Sequence, residues 1–423
     1  MSHAPNHPEP TASAGWAAYL ASSWTWCIGM FLPVLLVRDF GLWGWVAFAV
    51  PNVIGAAAMG WTVRSASHAE ALSGAHRGAA LAFSWVTRLY QFFFLAWLTS
   101  VVVEAARFRS PGLPAATVVI GCVGVFLLAA VGLTGFDRIR RLHAASVGAW
   151  VISASLLAFA LLRGAAEAPS WWFTFSRPGV SGLDLAAVAP VCALGFLLCP
   201  YLDLTFYRAA RGARSSRAAF TLGFVVLFLP MIAASAAYSR SAHMAPLVPA
   251  LLAAPLLAVA AHVLVQLGFT AAAHQRAAGP FLGAIKPWYP GVFGLSSAAL
   301  GVALGLAAAR AGEDPVVGVM PLHELLYRMI LGMYAVVFPA YVLVCMVPTW
   351  RKPQTPSRAS LIAAGAAAAL AAPPLWIGFI QGREPFLLLV PLPILAAYAY
   401  ARFMRPRLGP PDPAGPGTTS PSP

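Results

Sequence analysis

The chain has 423 residues, 60% of them hydrophobic and only 9% charged, where soluble globular domains carry roughly 25% charged residues. That excludes a soluble globular protein and leaves a polytopic membrane protein. The formal charge of +14 does not signal nucleic acid: only Lys286 and Lys352 are lysines, and the arginines sit in short loops between apolar runs, with no basic stripe interleaved with aromatics.

A membrane-crossing helix needs about 20 apolar residues. Twelve runs meet this: 16–37, 42–63, 78–105, 114–134, 144–163, 184–209, 218–238, 245–271, 291–310, 325–348, 359–379 and 385–403. With the amino terminus inside, the inner loops hold roughly twice the Lys and Arg of the outer ones,. Both termini are therefore expected in the cytosol, with the chain in the cell membrane. Residues 1–15 are polar and lack the basic start of a signal peptide,. The tail 404–423 is rich in Pro, Gly and Ser and is expected to be disordered. Cys27, Cys122, Cys192, Cys199 and Cys345 all lie in apolar runs without a C-x-x-C, so neither disulfides nor a metal site is expected.

In segment one, Trp26-Cys27-Ile28-Gly29 leads to Pro33. Glycine and proline four residues apart weaken the helix midway, which predicts a break over 29–33. Segment three carries Ser84, Arg88 and Gln91 at i, i+4, i+7, on one helix face. At 1.5 Å per residue Arg88 lies about 15 Å into the span, where a charge should face the bundle interior and find a partner. Trp85 is its neighbour. In the outer loop before segment six, Trp171, Trp172, Phe173 and Phe175 fit an interfacial belt better than an outer gate.

Segment six holds Gly195, Cys199, Pro200, Tyr201 and Asp203. Proline removes a backbone donor and frees a carbonyl, and a mid-membrane aspartate costs roughly 2.5–3.5 kcal/mol on insertion scales. Asp203 is the only acid expected well inside the membrane, so Arg88 and Asp203 are expected to be close, paired or bridged by substrate. In segment eight His262, Gln266 and Thr270 recur at i, i+4, i+8. His262 fits proton transfer and equally an interhelical hydrogen bond. Each break alone also fits a plain kink. Matched breaks in the first and sixth spans, heading two five-helix halves, point to a transporter site. Signatures of an enzyme (P-loop, G-x-S-x-G, H-E-x-x-H) are absent from the sequence,.

Trp26-Cys27-Ile28-Gly29-Met30 with its later proline, Gly41-Leu42-Trp43-Gly44-Trp45, Asn52, Ile54 and Met59, and the run Asp203-Leu204-Thr205-Phe206-Tyr207-Arg208 resemble the nucleobase–cation symporters (hydantoin, purine and allantoin permeases). These belong to the amino acid–polyamine–organocation superfamily, with its leucine-transporter-type inverted repeat. The resemblance implies an all-α membrane fold of about twelve helices: a five-plus-five inverted repeat (16–163 and 184–348) with helices 1 and 6 interrupted, then two more helices over 359–403. It departs at Phe206, where the family's arginine would follow, and at Tyr201, which replaces a polar residue. Sodium-using members set hydroxyls of the eighth helix against the first break, where this chain offers only Thr270, so both H+ and Na+ stay open as coupling cation.

The reading is thus a secondary transporter of a small polar solute, nucleobase-like compounds among them, without an enzyme activity or bound cofactor. Trp26, Cys27, Gly29, Trp85, Arg88, Gln91, Cys199, Tyr201 and Asp203 are the expected solute contacts. Asp203, His262, Gln266 and Thr270 are the candidates for coupling. An amino-acid or amine permease of the same fold is the alternative within the class; a membrane sensor or complex subunit is the alternative outside it.

Overall fold

The computed structural model describes residues 11–25, 27–109, 139–164, 179–244, 254–318 and 320–404. Segment four, the tails 1–10 and 405–423, the aromatic stretch 171–175, Cys122 and Trp26 lie outside the described residues, as do the side chains of Cys27, Glu104 and Arg107. The protein is an all-α multi-pass membrane protein. Among the described residues ten helices are long and apolar enough to cross a membrane, or eleven when one bent pair counts as a single span.

That pair is α1 (Ser13–Trp24) and α2 (Cys27–Phe40), bent by 50°. There follow α3 (Leu42–Thr62), the short α4 (Ala66–Ala75), α5 (Arg77–Arg109) and α6 (Ile139–Gly164). The second interrupted span is α7 (Gly182–Leu198), a 3-10 turn (Cys199–Leu202) and α8 (Leu204–Gly212). Then come α9 (Ser216–Ser239), α10 (Ala254–Gly283), α11 (Tyr289–Ala311), α12 (Leu322–Thr349), α13 (Arg358–Ile380) and α14 (Glu384–Phe403).

Two expectations need correction. The first break falls at Thr25, before Gly29 and Pro33, and Pro33 lies inside α2. The Thr25 hydroxyl donates to the Ala21 carbonyl at 2.7 Å and the Ser23 hydroxyl to Leu20 at 3.3 Å. Such side-chain bonds compete with the helix ladder and let it end there. Segment eight also runs later than expected, to Gly283 rather than 271. Ala271, Ala272, Ala273, Ala277 and Ala278 are buried and carry its apolar face past the polar triplet His274-Gln275-Arg276.

Small residues set the close approaches. A Cβ on Gly301 would overlap the Leu89 carbonyl and one on Gly305 the Phe93 carbonyl, so α11 lies directly on α5, as small-residue stripes allow in membrane bundles. Likewise a Cβ on Gly55 would overlap the Phe196 carbonyl, which draws α3 onto α7. The second interrupted span is thereby held tightly against α3.

Candidate functional site

The two breaks meet. Asp203 stands at the head of α8 in extended conformation, and its Oδ1 accepts from the Thr205 amide at 2.7 Å and the Thr205 hydroxyl at 2.6 Å. This is an N-cap: the first amides of a half-helix have no carbonyl partners, and a carboxylate supplies one. The Thr205 hydroxyl lies 3.3 Å from Ser23 Oγ at the end of α1, and the Trp24 and Phe206 rings pack with centroids 4.9 Å apart. The Tyr207 hydroxyl donates to the Tyr201 carbonyl at 2.8 Å, satisfying a carbonyl that the proline-bearing turn leaves bare.

Asp203 does not pair with Arg88. Arg88 is buried, yet its Nε donates to the Ser297 hydroxyl at 3.2 Å, and its terminal nitrogens donate to the carbonyls of Ala271 and, at 3.4 Å, Gly294. Direct pairing fails for a physical reason: carbonyls plus a hydroxyl on two adjoining helices take three of the guanidinium's five donors without a carboxylate,. The neighbour of Asp203 is instead His274, one further i+4 step along the stripe read as His262, Gln266 and Thr270. Its Nε2 lies 3.7 Å from Asp203 Oδ2, and its Nδ1 is 3.2 Å from Ser84 Oγ. All three side chains are fully buried. Ending the span at 271 hid this residue; continuing the period would have found it.

The other expected residues divide. Thr270 reaches the first break, donating from its hydroxyl to the Ser22 carbonyl at 3.3 Å; it lies well inside α10, not at its end. Gln266 turns to α6, donating to Ser153 Oγ at 2.6 Å. His262 is buried, and its Nδ1 has no hydrogen-bond partner among the described residues. The amide of Gln91 is likewise buried, with neither end bonded among the described residues. Trp85 faces α11, where its indole donates to Ser296 Oγ at 3.0 Å. Tyr201 packs edge-on against Trp350 at 5.0 Å, with its hydroxyl 3.2 Å from Thr62 Oγ1, below the breaks rather than between them.

Gly29 and Cys199 line a cavity of about 70 Å³ on the α2/α7 side of the breaks. Its walls are mainly apolar and aromatic (Trp24, Phe196, Tyr334, Phe379), with the Asn52 amide and the Cys192 and Cys199 thiols as polar groups. Trp24 Nε1 donates to Asn52 Oδ1 at 2.6 Å, and the Cys199 thiol to the Tyr334 carbonyl at 3.3 Å. The turns carrying Tyr334 and Phe379 are both widened to π geometry, common where helices serve a function. The volume is well below the roughly 300–1,000 Å³ of ordinary ligand pockets.

Across Phe379 and Leu387, which line both spaces, lies a vestibule of about 770 Å³. Arg38 at the end of α2 grips Glu324 of α12 through two bonds of 2.7 and 2.5 Å. Arg328 bonds Glu324 at 2.9 Å, Asp39 at 2.7 Å and the Phe379 carbonyl at 2.8 Å, with its guanidinium 4.5 Å over the Phe379 ring.

No protein-family model matches the chain, and no curated protein matches it. Solved structures do. Mhp1, a nucleobase-cation-symport-1 family transporter, in a closed conformation with bromovinylhydantoin bound, superposes with a TM-score of 0.52 at 14% identity, covering 93% of this chain and 94% of that one. The fold is that of Mhp1. The inward-facing conformation of Mhp1 gives 0.51 at 15% identity over 96% and 95%. The manganese transporter of Eremococcus coleocola, in complex with an aromatic bis-isothiourea substituted compound, gives 0.52 at 11% identity over 93% of each chain. The two interrupted spans that the resemblance implied are present and meet at their breaks.

Proposed function

We propose that the chain is a secondary transporter that carries a small organic solute by alternating access around the two interrupted helices. The observation that carries this reading is the small cavity beside the breaks, which shares Phe379 and Leu387 as lining with a wide vestibule. The cavity wall is mainly ring and aliphatic surface with one amide and two thiols. That chemistry suits a compact neutral solute with a hydrogen-bonding edge, nucleobase-like compounds included; a free metal ion wants carboxylate and water ligands. The solute enters from the vestibule when the α2–α12 clamp parts, and leaves when α1 and α8 swing away from the opposite end. In this reading the amino-terminal end faces the cytosol, in keeping with the bias of basic loop residues, and the membrane is the cell membrane.

The test is a thermal-shift panel on the purified full chain, with nucleobases, hydantoins, amino acids and amines. A ligand that binds only the folded state stabilises it by about 2.7 kcal/mol at a hundred times its Kd. At least one solute should raise the Tm, and Asn52→Ala or Cys199→Leu should abolish that rise while folding normally. A flat panel, or variants that respond as wild type does, ends the assignment. A rise with amino acids or amines alone moves the substrate class to the rival permease reading.

A further inference from the structure

The cavity is not where the buried charge chemistry lies. Asp203 Oδ1 is fully engaged as the α8 cap, but Oδ2 accepts no hydrogen bond among the described residues. A buried carboxylate oxygen left without a partner is costly. Oδ2 faces His274 Nε2 at 3.7 Å, too long for a hydrogen bond and short enough that a small approach of α10 to α8 would make one. The other ring nitrogen of His274 is 3.2 Å from Ser84 on α5. Ser84 can donate to a bare Nδ1 or accept from an Nδ1–H, so the ring serves in either tautomer.

We propose that Asp203 and His274 together bind the single proton that couples transport, and that sodium is not the coupling ion. This rests on the transport reading above. With no added proton the pair is a carboxylate and a neutral imidazole. One proton on Oδ2 makes a carboxylic acid that donates to Nε2, which fills the 3.7 Å gap with a hydrogen bond and leaves the pair without net charge. Protonation thereby draws α10 toward the half-helix α8, and release lets them part, which ties the proton to the helix that must swing.

The surroundings fit a proton better than a metal cation. Arg88 on α5 acts on His274 with its positive charge, and Tyr19 of α1, Cys199 and Tyr207 lie within electrostatic reach of Asp203. Arg208 sits 5.9 Å over the Tyr19 ring. Asp203 Oδ2 is a carboxylate oxygen already in place to take a proton.

The test is acid titration of the full-length protein in lipid vesicles, followed by infrared difference spectroscopy, in choline and in sodium buffers. A carboxylic-acid carbonyl band should grow in with one midpoint, the same in both buffers. Asp203→Asn should remove that band. His274→Phe should keep it but lower its midpoint by about one pH unit or more, since the acid loses its acceptor, each unit being about 1.4 kcal/mol. A band that survives Asp203→Asn, an unchanged midpoint in His274→Phe, or a midpoint displaced by sodium overturns the proposal. Should Asp203→Asn not fold, the histidine variant and the sodium comparison decide. The readout needs no solute, so a flat solute panel with an intact titration would sink transport and leave the proton site, and the reverse result would do the opposite.

Discussion

The two ends of the broken-helix core are closed in opposite ways. At the Arg38 end, α2, α12 and α13 are tied by charges across a wide vestibule. At the amino-terminal end the closure is rings and backbone. Thr11 exchanges backbone hydrogen bonds with Gly212 and Arg214, at 3.0 and 3.1 Å, which ties the start of α1 to the end of α8. Tyr201 is wedged between Thr62 and Trp350, and α4 packs over it, with His68 Nε2 donating to the Trp350 carbonyl at 2.9 Å and His76 Nδ1 3.0 Å from the Tyr341 hydroxyl. Water can replace the partners of the part-exposed Arg38 and Asp39 at little cost,, but it cannot replace ring packing. The ionic end is thus the one built to open first, and the aromatic end is the one that needs a driving event such as protonation beside α8.

The sharpest break of this contrast is at Arg328, whose side chain is 8% exposed. Arg328→Ala leaves Asp39 and Glu324 with Arg38, the more exposed of their two cations, and Phe379 without its stacking partner. Removing one partner of a buried pair costs about 3–5 kcal/mol, to be read from chemical denaturation. Cys199, at the cavity wall, should also react faster with an impermeant maleimide. Unchanged labelling would mean that Phe379 does not separate the vestibule from the cavity. Next in size, Tyr201→Ala removes a half-buried ring and should cost about 2 kcal/mol, roughly half of what a fully buried aromatic costs. It should favour the state open at the amino-terminal end, seen as proteolysis or labelling near Trp350.

The sequence showed some of this plainly. Pro200 and Asp203 are three residues apart, so the second break could be read locally and stands where expected. The first break could not: Pro33 drew attention, but a proline within a helix is tolerated in a bundle when neighbours satisfy the freed carbonyl, and the hydroxyls of Ser23 and Thr25 end α1 instead. Arg88 was rightly placed inside, yet its partners are carbonyls, which no sequence pattern advertises. His274 was within reach of the i+4 stripe and was lost to a span boundary. The clamp was out of reach altogether, because Arg38 and Asp39 are separated from Glu324 and Arg328 by nearly the whole chain and each reads locally as a loop charge.

A milder probe of the aromatic end is acid. Burial holds the His76 imidazole down to about 4, below its ordinary value of about 6.5. Between those values the unfolded chain binds more protons than the folded one, so stability rises with pH there. The contribution is complete above about pH 6.5 and is lost as the pH falls toward 4. His76→Gln should flatten that part of the Tm–pH profile. An unchanged slope would assign it elsewhere and remove His76 from the closure.

The smallest effect belongs to Arg38, which separates a cooperative clamp from a set of independent bonds. Its side chain is 35% exposed, and Glu324 and Asp39 keep Arg328 when it is removed. Arg38→Gln should therefore cost no more than about 1 kcal/mol, as exposed pairs do, and high salt, which screens exposed charges, should shrink the difference from wild type. Arg328→Ala should lose several times more and be nearly insensitive to salt. If the two variants instead fall together, in stability and in Cys199 labelling, the four charges act as one latch, and the ionic end would need a driving event as much as the aromatic one.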